Sequence, residues 1–238
     1  MTASAPAAAA TDAELADLIG GGAGELELPL SPAQVELFVS YIRLIERWNS
    51  AYNLTAIRDP RAMAVQHVLD CLAVITPLRR RGLTVVGRRV LDVGSGAGLP
   101  GLIIAVMEPD LEIVCVDSVG KKAAFITEAA SRLGLRNATA LHRRVESIGA
   151  SKFDVITSRA FSALAVFFNA TRPLLAEQGT WLAMKAKRPD AELALITGVT
   201  FHVEPVVVPR LDGERCLVWA MPESKHSLSR KSQAGPGQ

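Results

Sequence analysis

Two hydrophobic patterns divide this chain. Between residues 30 and 87, apolar residues return every third or fourth position. Val35, Phe38, Val39, Ile42, Ile45 and Trp48 form one stripe, and Val65, Val68, Leu69, Leu72 and Ile75 form another. That spacing places each set on one face of a helix. Ser31-Pro32-Ala33-Gln34 supplies a cap, a proline at the first helical position and a glutamine that closes a capping box. Asp59-Pro60 repeats the cap and the proline. The reading is a helical region with a connector at Asn49–Arg58.

From residue 88 the pattern changes to short β-like runs alternating with helical stretches. Arg89–Val93, Glu112–Asp117, Ala138–His142, Phe153–Thr157 and Thr180–Lys185 read as strands. Leu99–Met107, Val119–Leu133 and Ala160–Leu175 read as helices, and Phe201–Val208 with Arg215–Ala220 reads as a closing antiparallel hairpin. Such alternation predicts an α/β fold with a mostly parallel, Rossmann-like sheet and helices on both faces, preceded by a helical extension. The expected organisation is residues 1–29 as a largely disordered segment with a short helix, 30–87 as the helical region, 88–221 as the catalytic domain and 222–238 as a mobile tail. In the first segment, Thr11-x-x-Glu14 opens the helix and the Gly20–Gly22 run is expected to end it.

Composition narrows the function classes. The 238 residues are 49% apolar with a formal charge of +2, so any nucleic-acid contact rests on a local basic patch. Three scattered cysteines and four scattered histidines make neither a disulfide framework nor a metal motif. A reduced cytoplasmic setting fits, no metal is expected, and no apolar run is long enough to span a membrane.

The chemistry is expected outside the carboxyl ends of the strands. After the first strand stands Asp92-Val93-Gly94-Ser95-Gly96-Ala97-Gly98-Leu99-Pro100-Gly101. Its glycines let the backbone approach a ligand, and the following helix turns free N–H groups toward the same place. Gly96-x-Gly98-x-x-Gly101 matches a dinucleotide fingerprint, though it begins two residues after the first glycine of the loop. The phase running from Asp92 through Gly94 and Gly96 to Gly98 resembles instead the first motif of class I methyltransferases. Asp117 ends the second strand, where a carboxylate accepts from ribose hydroxyls or caps the next helix. Arg143-Arg144-Val145-Glu146 follows the third strand, as an adenine-facing turn or as a solvated one.

A longer ordered set carries a closer match. It comprises Trp48-Asn49-x-x-Tyr52-Asn53-Leu54-Thr55, His67-x-Leu69-Asp70, Asp92–Gly101, Asp117-Ser118-x-x-Lys121, Arg144-Val145-Glu146, Ser158-Arg159-Ala160-Phe161, Lys185 and Leu211-Asp212-Gly213-Glu214-Arg215. Over roughly residues 30–220 the chain resembles the RsmG, or glucose-inhibited division protein B, family of bacterial 16S ribosomal RNA guanine-N7 methyltransferases. The resemblance implies S-adenosyl-L-methionine as cofactor, S-adenosyl-L-homocysteine as product, and 16S rRNA or the assembled 30S subunit as partner of a monomeric enzyme. It implies cofactor contacts at Gly94, Leu99, Val145, Glu146 and Arg159, with the loop residues Asp92, Gly96 and Gly98 beside them and Asp117 on the ribose. It implies Arg144, Arg159, Lys185 and Arg215 as basic residues around the RNA-facing pocket, with Arg159, Arg144 and Lys185 the candidate catalytic groups.

The chemistry is consistent with that implication. Guanine N7 carries a lone pair and no proton, so transfer to it needs alignment rather than a general base. The fourth strand ends in Thr157-Ser158-Arg159-Ala160-Phe161, not the Asp/Asn-Pro-Pro-aromatic signature of amine methylation, and no cysteine follows a proline. Arg159 can meet a cofactor carboxylate or guanine O6, or form a structural ion pair. Phe161 can stack on a base or face the core. Arg143, Lys187 and Arg188 are further candidates for the RNA backbone, whereas Arg79–Arg81 reads as ordinary surface charge. Tyr52, Asn53 and Thr55 either wall the target-base side or cap and pack. His67 and Asp70, one turn apart, can hydrogen-bond each other. A nicotinamide oxidoreductase using the shifted fingerprint, or an assembly factor without catalysis, remains an alternative.

Overall fold

A computed structural model describes residues 10–159, 161 and 163–223. The alanine-rich first nine residues and the tail beyond residue 223 lie outside the described residues. The helical region comprises α1 (Asp12–Glu25), α2 (Pro32–Tyr52) and α3 (Pro60–Met63), then a π-helical segment (Ala64–Leu69), α4 (Asp70–Leu72) and α5 (Ile75–Arg80). The sheet domain follows as β1 (Arg89–Val93), α6 (Gly101–Met107), β2 (Glu112–Asp117), α7 (Gly120–Arg132), β3 (Ala138–His142), β4 (Phe153–Ser158), α8 (Leu164–Thr171), β5 (Leu175–Lys185), α9 (Asp190–Leu193), β6 (Val199–Val206) and β7 (Arg215–Pro222).

The strands lie in the order β3-β2-β1-β4-β5-β7-β6. The first five in that order run parallel, and β7 and β6 close the sheet antiparallel. Chain order reverses between β1 and β4, which makes the loop after β1 the topological switch point, the place where open α/β sheets bind ligands. Alternate residues of each strand feed two aliphatic clusters. Val90, Leu182, Met184, Leu217 and Trp219 pack with the N-terminal helices, α6 and α7. Leu91, Val93, Trp181, Ala183, Val218 and Ala220 pack with Phe153, Phe167 and Phe168. The period-2 alternation of a strand thus covers both faces of one sheet.

Several boundaries differ from the sequence expectation, each for a local reason. α1 does not stop at Gly20–Gly22 but runs through to Glu25. A Cβ on Gly22 would meet Leu69 Cδ1 at 2.4 Å, so the glycine permits α1 to lie close against the π segment while Leu15 and Ile19 bury completely. Full burial of two such side chains contributes about 3–6 kcal/mol, enough to offset the weak helix propensity of glycine. α6 begins at Gly101 rather than Leu99, because Asp92 Oδ2 accepts from Gly101 N at 3.0 Å and sets the first turn there. α8 begins only at Leu164, whose N–H donates to Glu192 Oε2 at 2.8 Å, and it gives way to a 3₁₀ turn at Arg172–Leu174 around Pro173. β5 starts at Leu175, five residues before the expected Thr180, by pairing with Phe153 across a register shift in β4. The first hairpin strand is Val199–Val206, two residues earlier than expected, and the second begins at Arg215 as expected but runs two residues further, to Pro222.

Candidate active site at the carboxyl end of the sheet

The loop after β1 is held from several sides. Tyr41 Oη, buried on α2, donates to Ala97 O at 2.6 Å. Ser95 Oγ donates to Asp92 O, and Ser158 Oγ donates to Val93 O, both at 2.8 Å. Asp92 is fully buried; Oδ1 has no hydrogen-bond partner among the described residues. Burial pushes its carboxyl up to about 7, against the lowering effect of the Gly101 N–H. Asp92 orients the loop and lines neither of the two cavities described next.

The first cavity, of about 220 Å³, is lined by Val93, Gly94, Val116, Asp117, Ser118, Arg143, Arg144, Val145, Glu146 and Phe161. Gly94 adopts φ +67°, and a Cβ built there meets nothing within 4 Å, so its backbone faces open space. Asp117 Oδ2 accepts from Gly96 N and Oδ1 from Val119 N, each at 2.9 Å. Helix entry and loop fixation are therefore both tasks of Asp117. A carboxylate has about four lone-pair sites, which leaves room for two hydroxyl donors. Glycine cradle, acidic strand end and adjoining turn together fit a nucleoside cofactor. Arg143 and Arg144 form no ion pair among the described residues.

The second cavity, of about 250 Å³, is lined by Ile57, Gln66, His67, Asp70, Arg159, Met184, Lys185, Ala186 and Arg215. It brings Arg159, Lys185 and Arg215 together but leaves Arg144 with the first cavity. Arg159 lines the second cavity and not the first. The two are neighbours, since the segment after β4 carries Arg159 on one and Phe161 on the other, and Lys185 Nζ approaches Phe161 O at 3.4 Å. Lys185 also pairs with Glu192 at 3.0 Å. Phe161 both packs on Phe167, ring centroids 5.4 Å apart, and lines the first cavity. Leu99, Gly96 and Gly98 sit in the loop without lining either cavity.

The hydrogen bond that the His67–Asp70 spacing allows is not formed. Asp70 accepts from Arg215 Nε at 2.9 Å and pairs with Arg159 Nη1 at 3.3 Å. Arg159 Nη1 also donates to Gln66 O at 2.7 Å, and Nη2 approaches His67 Nδ1 at 3.4 Å. An arginine cannot accept, so Nδ1 is the acceptor and His67 Nε2–H faces Thr55 Oγ1 at 3.1 Å. Burial and the Arg159 charge lower the His67 pKa to about 4, which keeps the ring neutral. Asn49 organises the connector, accepting from Thr55 N and donating to Ile57 O. Tyr52 is half exposed and packs on Trp48 with the two rings tilted by 40°, its carbonyl accepting from Lys121 Nζ at 2.9 Å. Arg188 pairs with Asp190, Arg79 with Glu108, and Arg80 and Arg81 with Glu204.

Sequence reading missed Tyr41 and Gln66, whose partners lie far along the chain. Cys71 and Cys115 are buried, and burial pushes both thiols far up, away from nucleophilic use. Among the described residues no cluster of His, Cys, Asp and Glu can hold a metal ion, and no helix is long and apolar enough to cross a membrane.

The family model described as "GidB: rRNA small subunit methyltransferase G" matches residues 34–216. The chain belongs to this family. It is 50% identical over 207 residues to the ribosomal RNA small subunit methyltransferase G of Methylibium petroleiphilum, covering 86% of this chain and 93% of the relative. It is 51% identical over 213 residues to that of Leptothrix cholodnii, covering 87% and 96%. Among solved structures, a mutant of MtNAS in complex with S-adenosylmethionine aligns with a TM-score of 0.56 over 89% of each chain. At 14% identity that likeness concerns the fold alone. Family membership decides between the two phases of the glycine loop in favour of the methyltransferase one, and sets the nicotinamide alternative aside.

Proposed function

We propose that this protein transfers a methyl group from S-adenosylmethionine to N7 of a guanine in 16S ribosomal RNA, directly and without a covalent enzyme intermediate. The observation that carries the reading is the pair of adjoining cavities at the switch point, one built for a nucleoside and one ringed by arginine and lysine. The bound cofactor supplies an electrophilic methyl on a sulfonium sulfur. Gly94 admits it to the loop, Asp117 accepts from its ribose hydroxyls, and Val145, Glu146 and Arg144 flank the adenine. Arg159, Lys185 and Arg215 face the incoming base and RNA, stabilising O6 and the backbone. His67, whose Nδ1 accepts from Arg159 and whose basicity is lowered by burial, suits a reaction that needs no proton acceptor on the nucleophile, as do the high thiol pKa of Cys71 and the buried Asp92.

The test is transfer of labelled methyl from S-adenosylmethionine to free 16S rRNA and to 30S subunits, followed by nucleoside mass spectrometry. The expected product is 7-methylguanosine. Methylation at another atom overturns the N7 assignment, and binding to 30S subunits without transfer supports the assembly-factor alternative.

A further inference from the structure

Arg159 leaves the end of β4 and Arg215 begins β7, yet both guanidiniums converge on one carboxylate, Asp70, which is only 5% exposed. The carboxylate comes from the helical region, just after the π-helical segment. A π turn widens the backbone and is frequent at functional sites. Here Gln66 O, His67 Nδ1 and Asp70 Oδ2 all reach Arg159. These bonds occupy both hydrogens of Nη1 and one of Nη2. An arginine has five N–H donors, so Nε–H and one Nη2–H have no partner among the described residues and are available to an occupant of the cavity.

The geometry points to Asp70 as a positioning residue that keeps these arginines off the reacting nitrogen. The inference rests on the proposed guanine-N7 chemistry at this site. An unrestrained arginine favours a bidentate fork on guanine O6 and N7. That fork binds the base well but occupies the N7 lone pair that must attack the methyl. Tying Arg159 through Nη1 and Arg215 through Nε to one carboxylate fixes the direction each guanidinium faces, so that its remaining N–H groups are held for O6 and for phosphate instead of swinging onto N7. One carboxylate also reduces the combined charge of the two guanidiniums from +2 to +1, which limits ground-state attraction for RNA. Substrate affinity is thereby traded for a reactive nucleophile, the condition for binding that favours the transition state.

Asp70→Asn keeps the shape and removes the charge. In methyl transfer to 16S rRNA within 30S subunits, kcat is expected to fall about 10- to 100-fold, the scale set by misplacement near a reacting atom. KM for the RNA substrate stays level or falls, because two released guanidiniums attract RNA more strongly. S-adenosylhomocysteine affinity, measured calorimetrically, stays within about twofold, since Asp70 lines only the second cavity. A wild-type kcat overturns the proposal, and so does a lowered kcat with a raised KM, the signature of simple structural damage. Should Asp70→Asn show no cooperative melt, Asp70→Glu takes its place. It keeps the charge but shifts the carboxylate by one methylene, and about a fivefold loss of kcat at unchanged KM is expected; full kcat overturns positioning. Wild-type kcat in Arg159→Ala, or no 7-methylguanosine from the wild type, defeats the site reading itself. A crippled Arg159→Ala beside a fully active Asp70→Asn defeats only the inference.

Discussion

Gly94 separates ligand binding from folding more cleanly than any other position in the glycine loop. Its φ of +67° is open to glycine, and a Cβ added there meets no atom within 4 Å. The cost to the fold of any L-residue is therefore strain alone, about 1–2 kcal/mol, and aspartate, which tolerates the left-handed region better than most, falls at the lower end. For a chain of this size that corresponds to a melting point lower by about 2–4 °C. Binding responds differently. The carboxymethyl group of Gly94→Asp projects into a cavity of about 220 Å³ that already holds the carboxylates of Asp117 and Glu146. Loss of the space, together with repulsion of the methionine carboxylate, predicts at least about a 100-fold rise in Kd, near 2.7 kcal/mol. Gly94→Ala carries the same strain with little bulk, so its Kd is expected within about tenfold of wild type. Gly101→Ala is the opposite control. Its Cβ would fall 2.5 Å from Cys115 Sγ and 3.0 Å from Asp92 Oδ2, a buried clash that costs about 1–3 kcal/mol of stability. Titration calorimetry with S-adenosylhomocysteine and differential scanning calorimetry on the three variants decide the matter. An unchanged Kd in Gly94→Asp would refute the cradle.

Arg159→Ala is expected to slow methyl transfer about 100-fold or more, with S-adenosylhomocysteine affinity unchanged because Arg159 lines only the second cavity. Asp70 keeps Arg215 in that variant, so the stability loss stays below the roughly 3–5 kcal/mol of an orphaned buried charge; calorimetry checks both. Asp92 has a folded pKa raised to about 7 by burial, so its contribution to stability is full below about 3.8 and is lost as pH rises through 7. Asp92→Asn is neutral throughout, and its melting point relative to wild type is expected to climb from pH 5 to pH 8; a constant difference refutes the raised pKa. His67 has the reverse sign. With its pKa lowered to about 4, its stabilisation is present above pH 6.5 and is lost as pH falls toward 4, about 3 kcal/mol in all. Urea midpoints across that window should lose this slope in His67→Gln.

The parts legible in the sequence are those governed by local rules. Five parallel strands, the two capping boxes and the cofactor loop follow from periodicity and from turn chemistry, which act within a few residues. Helix ends are less legible where a distant residue sets them. Leu164 takes its cap from Glu192, and α1 passes through the Gly20–Gly22 run because Leu69 packs against Gly22. The same limit explains Tyr41, whose hydroxyl anchors Ala97 from α2 and looks, in sequence, like another apolar stripe residue. His67 and Asp70 show it most clearly. Their three-residue spacing suggests a mutual contact in an α-helix. The π-helical segment changes the pitch at that point, and the sheet offers each a cationic partner from far along the chain.

That difference alters how the helical region is understood. Read from its periodicity, the segment before β1 is an extension that covers apolar surface. In the fold, Ile57, Gln66, His67 and Asp70 line the second cavity from the helical region, while the segment after β4 supplies Arg159, β5 supplies Met184 and Lys185, and β7 supplies Arg215. α2 reaches under the glycine loop through Tyr41 and onto α7 through Trp48, whose indole N–H donates to Glu128 at 3.2 Å. The sheet alone supplies the nucleoside-sized cavity, since every residue lining it comes from the sheet domain. The neighbouring cavity needs both regions. A sheet of this type serves many chemistries, and function resides in what is grafted onto it. Specificity for an RNA base is therefore expected to depend on the helical region, and cofactor binding on the sheet, so that substitutions at Gln66, His67 or Asp70 should alter methyl transfer while leaving S-adenosylhomocysteine affinity intact.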